Sequence, residues 1–147
     1  MEDLRWDESL RTGDELVDQQ HRNIHELVDY VESADDSLDE LMHVLDRLME
    51  HVDCHFLTEE LLMERSGYVR DEANAHVADH HRLAAAARDT VLKFRQGELR
   101  STKPVVEFLR TWLASHVHDY DLTFIEFVKS REMVAVLPER WASNPPR

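Results

Sequence analysis

The sequence predicts an all-α protein, an up-down-up-down four-helix bundle with an N-terminal arm and a C-terminal tail. Two observations carry that expectation. Breakers are sparse among the 147 residues, 3 Gly and 4 Pro, with Pro145 and Pro146 at the C-terminal end, so the chain can run in long helices. Apolar residues recur at alternating steps of 4 and 3, the spacing of a helix face that packs inside a bundle, and no alternating β-branched run suggests a strand.

Punctuation at Ser33 to Ser37, Ser66-Gly67 and Gly97 to Pro104 divides residues 14–130 into four helical segments. The first presents Val17, His21, Ile24, Val28 and Val31 on one face. The second presents Leu41, Leu45, Leu48, Val52, His55, Glu59 and Leu62, an apolar stripe interrupted by one imidazole and one carboxylate. The third gives Ala73, His76, His80, Leu83 and Ala87. The fourth gives Leu109, Leu113, His116, Tyr120, Phe124 and Phe127, with Asp121 at the edge of the same face. Every segment therefore carries at least one histidine at a core position. Short connections favour antiparallel neighbours. The His55/Glu59 pair then lies about 11 residues before a turn near Tyr68 and His76/His80 about 10 after it, so both stand roughly 15 to 17 Å from that turn. Residues 1–130 are read as the bundle, and 131–147, with Trp141 and its Pro-rich end, as a flexible tail, a docking segment or a linker stub.

Charge narrows the partners. With 17 Lys plus Arg against 31 Asp plus Glu the formal net charge is −14, and no basic cluster offers itself to phosphates or anionic lipids, so neither nucleic acid nor a membrane is an expected partner. The N-terminus lacks the apolar core of a signal peptide, and no stretch approaches a membrane span. One cysteine, Cys54, excludes an internal disulfide and points to a reducing, cytoplasmic setting. It lies off the apolar face and is read as a packing residue.

The ten histidines carry the chemistry, since imidazole is the commonest metal ligand. Residues four apart share a helix face, as in His55/Glu59 and His76/His80, and can reach one ion or two adjacent ones. His116 and Asp121, five apart, are rotated by roughly 140° on an α-helix, so Asp121 is expected to reach toward a second centre. With His21 this gives five imidazoles and two carboxylates, too many for one tetrahedral zinc. Two metals sharing the carboxylates accommodate all seven. Any one of these could be an ordinary core histidine. Together they cannot, because each unpaired buried polar group costs about 1 to 3 kcal/mol. Donor softness alone leaves iron, copper and zinc open. His25, His43, His51, His81 and His118 are assigned to bundle flanks or surface, and Glu60 to a solvated face.

The segments Asp18-Gln19-Gln20-His21, His55-Phe56-Leu57-Thr58-Glu59-Glu60, His76-Val77-Ala78-Asp79-His80 and Trp112 through Asp121 resemble the hemerythrin family, in particular its bacterial hemerythrin-like domains. The resemblance covers about residues 4 to 130, and the combined pattern is far more specific than any single piece. It implies two iron ions joined by an oxo or hydroxo bridge. His76, His80 and His116 would hold one, His21 and His55 the other, with Glu59 and Asp121 bridging. The second iron would keep an open position for O2, and Phe56, Trp112 and Leu113 would line the pocket. Reversible O2 binding for storage, delivery or sensing is the implied role, rather than enzymatic activity. The alternatives are a di-iron enzyme acting on peroxide or nitric oxide, and a redox or oxygen signalling module, with a protein partner reached through the tail.

Overall fold

The computed structural model describes residues 6, 8–34, 38–98 and 100–147. A 3-10 turn, Glu8–Leu10, leads into helix α1 (Glu15–Ser33), followed by α2 (Leu38–Ser66), α3 (Arg70–Arg95) and α4 (Lys103–His116). A π-helical turn, Val117–Asp121, joins α4 to α5 (Leu122–Ser130), and a short helix α6 (Glu139–Ala142) lies in the tail. The earliest part of the N-terminal arm lies outside the described residues.

Local chemistry sets the ends. Asp14 caps α1 by accepting from the Val17 amide at 2.9 Å, satisfying an N–H that the first turn leaves without a partner. Asp18 accepts from the Thr12 amide, the Thr12 hydroxyl and the Gly13 amide. That loop needs Gly13, whose φ of 95° falls where side chains are disfavoured. Pro104 sits in the first turn of α4, where a missing N–H costs nothing.

Helix α1 packs against α2 and α4, and α3 packs against the same two, as antiparallel neighbours in a four-helix bundle do. The expected faces are the buried ones: Val17, His21, Ile24, Val28 and Val31 on α1, and Leu45, Leu48, Val52, His55, Glu59 and Leu62 on α2. The apolar core falls into two clusters. A large one contains Ile24, Leu45, Leu48, Leu83, Leu109 and Leu113, and a smaller one contains Val17, Leu62, Met63, Phe124, Ile125 and Val128. In every helix the core histidines fall between these two sets of residues, so a polar layer crosses the bundle between apolar ends.

One feature departs from expectation, and a second is one that the sequence leaves open. The fourth segment is not one continuous α-helix but is widened by the π turn, with consequences described below. Residues 131–147 fold back on the bundle rather than trailing from it. Ala135 and Trp141 are buried, the Ala135 amide donates to Asp14 Oδ2 at 2.8 Å, and the Trp141 indole donates to Glu50. His51 and Arg47 reach the Arg147 carbonyl at 2.7 and 3.0 Å. Of the two placements offered for His51, flank or surface, the tail leaves only a covered flank. The same holds for His25, which is buried beside the Trp6 indole, ring centroids 5.8 Å apart. His43, His81 and His118 are exposed, as expected.

Candidate metal centre

The structure brings together all seven residues singled out as metal ligands. His21, His55, Glu59, His76, His80, His116 and Asp121 are all buried, and each histidine turns its Nε2 inward. They form two overlapping groups, one of His76, His80 and His116 and one of His21 and His55, with Glu59 and Asp121 common to both. The carboxylates divide their oxygens between the groups. Glu59 Oε1 lies 2.7 Å from His55 Nε2 and Oε2 lies 3.1 Å from His76 Nε2. Asp121 Oδ2 lies 2.9 Å from His21 Nε2, while Oδ1 lies 2.9 Å from His76 Nε2 and 3.1 Å from His116 Nε2.

Asp121 reaches both groups because of the π turn. In an α-helix a fifth residue points away, but the wider i→i+5 turn brings residues five apart toward the same side. Spacing predicts that Asp121 reaches toward a second centre, and the family resemblance that both centres share it; one of its oxygens stays beside His116 and the other crosses to His21.

Side chains behind the imidazoles fix the rings. Asp79 Oδ2 accepts from His116 Nδ1 at 2.6 Å, and its other oxygen is held by Arg82. Gln20 Oε1 accepts from His55 Nδ1 at 2.8 Å, and its amide donates to the Thr58 hydroxyl at 2.9 Å. Glu60, expected on a solvated face, is half-buried, with a carboxylate oxygen 3.5 Å from His80 Nδ1 but no hydrogen bond to it. Sequence reasoning passed over these three. Asp79 and Gln20 stand beside a ligand in sequence, where the partner of an Nδ1 could be sought, but only packing shows which ring each one meets. Phe56 stacks on His80, centroids 4.0 Å apart, with the Trp112 ring edge-on 5.4 Å beyond. Leu113 is buried in the larger apolar cluster.

Electrostatics favour charge on both sides. Burial acts most strongly against a charged His55, yet Glu59 and Asp121 together push it up to about 10. His76 is likewise raised to about 9 against the effect of burial. Burial opposes ionisation of Glu59 and Asp121 as well, but the imidazoles hold both below the usual carboxylate range.

The donor set fits metal ions better than hydrogen bonds. None of the four oxygens of Glu59 and Asp121 accepts a hydrogen bond of sound geometry, a costly condition for buried carboxylates unless a cation satisfies them. The Nε2 atoms of His21 and His55 are 3.0 Å apart, and those of His76 and His80 each stand 3.1 Å from that of His116. Donors at right angles around an ion at about 2.1 Å are about 3.0 Å apart, whereas tetrahedral donors at that radius are about 3.4 Å apart. The spacing therefore suits two octahedral corners more than a closed tetrahedral zinc.

A four-helix bundle with a histidine and carboxylate cluster laid out for two cations in its core defines the class of protein. Its family follows from comparison. The profile of the "Hemerythrin HHE cation binding domain" matches residues 12–128, and the chain belongs to the hemerythrin family. It is 32% identical over 108 residues to a bacteriohemerythrin of Methylococcus capsulatus, covering 72% of this chain and 81% of that protein. It is 30% identical over 129 residues to a bacteriohemerythrin of Stenotrophomonas maltophilia, covering 86% and 82%. The fold superimposes on a crystal structure of wild-type hemerythrin with a TM-score of 0.74 and 28% identity, over 84% of this chain and 95% of that one.

Proposed function

We propose that this protein binds O2 reversibly at a non-haem centre of two iron ions, as a carrier, store or sensor and not as an enzyme. The observation that carries the proposal is the unequal division of donors. Three imidazoles and two carboxylate oxygens face one position, and two imidazoles and two carboxylate oxygens face the other. In this reading His76, His80 and His116 would hold one iron and His21 and His55 the second, with Glu59 and Asp121 shared between them. The position with fewer donors is the one left open to a small ligand. Two ferrous ions held by these residues would supply the reversible two-electron chemistry that O2 binding requires.

The remaining work falls to the protein. Release unchanged requires that water and stray protons stay away from the ligand, and an apolar wall does this. Phe56, Trp112 and Leu113, each at most 6% exposed, are assigned that role. Gln20 and Asp79 keep the rings of His55 and His116 turned so that Nε2 faces inward.

The test is the optical spectrum of purified protein as isolated, after anaerobic reduction, and after readmission of O2. Near-ultraviolet bands of oxo-bridged iron, bleaching on reduction, and a visible band that returns with O2 and leaves when oxygen is lowered are expected. A colourless protein with zinc or no metal would refute iron. A band that forms once and decays with turnover of peroxide or nitric oxide would replace binding with catalysis.

A further inference from the structure

The five imidazoles are alike in front and unlike behind. Behind His116 stands Asp79, whose Oδ2 is 2.6 Å from Nδ1. The other Asp79 oxygen is paired with the Arg82 guanidinium. Behind His80 stands a second carboxylate, Glu60, at 3.5 Å. The one carboxylate hydrogen-bonded to a clustered imidazole therefore serves the three-histidine half. On the other half the partner of His55 is neutral, the Gln20 carbonyl at 2.8 Å. Its orientation is fixed, because the amide nitrogen donates to Thr58, whose own hydroxyl donates to the Cys54 carbonyl at 2.7 Å. The Gln20 oxygen is therefore the end that faces His55. The Nδ1 atoms of His21, His76 and His80 have no hydrogen-bond partner among the described residues, so the contrast lies between His116 and His55.

We propose that Asp79 and Gln20 are positioning residues that make the two metal positions electronically unequal, a full negative charge backing His116 and a neutral amide backing His55. This rests on the two-iron reading above. A carboxylate behind a ligating imidazole draws on its Nδ1 proton, makes Nε2 a stronger donor and favours the more highly charged ion, whereas an amide does so far less. The ferric state is then favoured at the three-histidine position, and the ferrous state at the two-histidine position, the one with room for a ligand. Arg82, exposed on the surface with Asp79 between it and His116, keeps that carboxylate in place.

The experiment is a redox titration of iron-loaded protein with dithionite and mediator dyes, comparing the parent with Asp79→Asn and Gln20→Glu, both nearly isosteric. Ferrous affinity is measured in parallel by competition with a chelator. Asp79→Asn removes a negative charge, so the midpoint should rise and the oxidised-to-reduced ratio at fixed potential should fall about tenfold, which is 59 mV for a one-electron step. Ferrous affinity should drop by about tenfold. Gln20→Glu adds a charge, so its midpoint should move the opposite way. A merely structural role would weaken both variants alike and would not shift their potentials in opposite directions. Unchanged midpoints at two irons per chain, or shifts of the same sign, overturn the inference and leave the two-iron reading standing. A parent protein that takes up no iron overturns both. If Asp79→Asn loses its fold by circular dichroism, the direction of the Gln20→Glu shift decides alone.

Discussion

Asp14 serves two segments with its two oxygens, one capping α1 through the Val17 amide and the other receiving the Ala135 amide of the tail. Asp14→Ala removes a cap and leaves a buried N–H without its partner, so a loss of about 2 kcal/mol is expected. Thermal denaturation measures it, and iron content should not change, since Asp14 touches none of the clustered donors. At the site itself, neighbouring histidines make a sharper comparison. His76 is buried among Glu59, His116 and Asp121, while His81 is exposed with its side chain near Glu60. His76→Ala should lower bound iron per chain and weaken the visible bands. His81→Ala should leave both as they are, and equal behaviour of the two would contradict the burial pattern.

Among the elements, the π turn Val117–Asp121 decides whether α4 can offer both of its donors at once. An extra residue inserted after Asp119 turns everything beyond it by about 100°, carrying Asp121 off the cluster and Phe124 off the core. Deleting Asp119 instead allows an ordinary α-helix with His116 and Asp121 four apart, which again share a face. The insertion should abolish two-iron loading and lower the melting temperature. The deletion should retain most of the loading, as metal analysis would show. A π turn in this place thus works as one added residue that the helix absorbs without losing register.

In the whole molecule, a charged layer separates two apolar clusters, and metal binding and stability are linked through it. Chelation should lower the melting temperature, because ions that bind only the folded state stabilise it. The metal-free protein should also respond to pH in a defined way. His55 and His76 are raised to about 10 and about 9, so their contribution is complete below the ordinary histidine value and fades as pH rises toward 9 and 10. Glu59 and Asp121 are lowered, so theirs is present above the ordinary carboxylate range and fades as pH falls below it. Metal-free protein should therefore melt highest between about pH 5 and 7 and lose stability at both ends. Its iron uptake should weaken as pH falls, since protons compete for the same nitrogens. Melting curves against pH, with and without iron, test both statements.

Much of this was already determined by the sequence. The 4-and-3 spacing selects one face per helix, and Val17, Ile24, Leu45, Leu48 and Leu62 are buried because a bundle has no other place for a continuous apolar stripe. The same spacing places His21, His55, Glu59, His76, His80 and His116 on those faces, since periodicity acts on every residue type alike. Tertiary structure decided what periodicity cannot express. The phase across Val117–Asp121 depends on a π turn, which a count at the α-helical period does not include, so Asp121 could be placed on the wrong side of His116 by counting alone. His51 and Glu60 are polar residues beside the buried stripe, and what covers them comes from segments distant in sequence, Arg147 and His80. Asp79 and Gln20 reach their rings across helix interfaces, Asp79 from α3 to α4 and Gln20 from α1 to α2. A helix face is a local property, fixed by the spacing of its own residues; a partner across an interface is set by how whole helices pack.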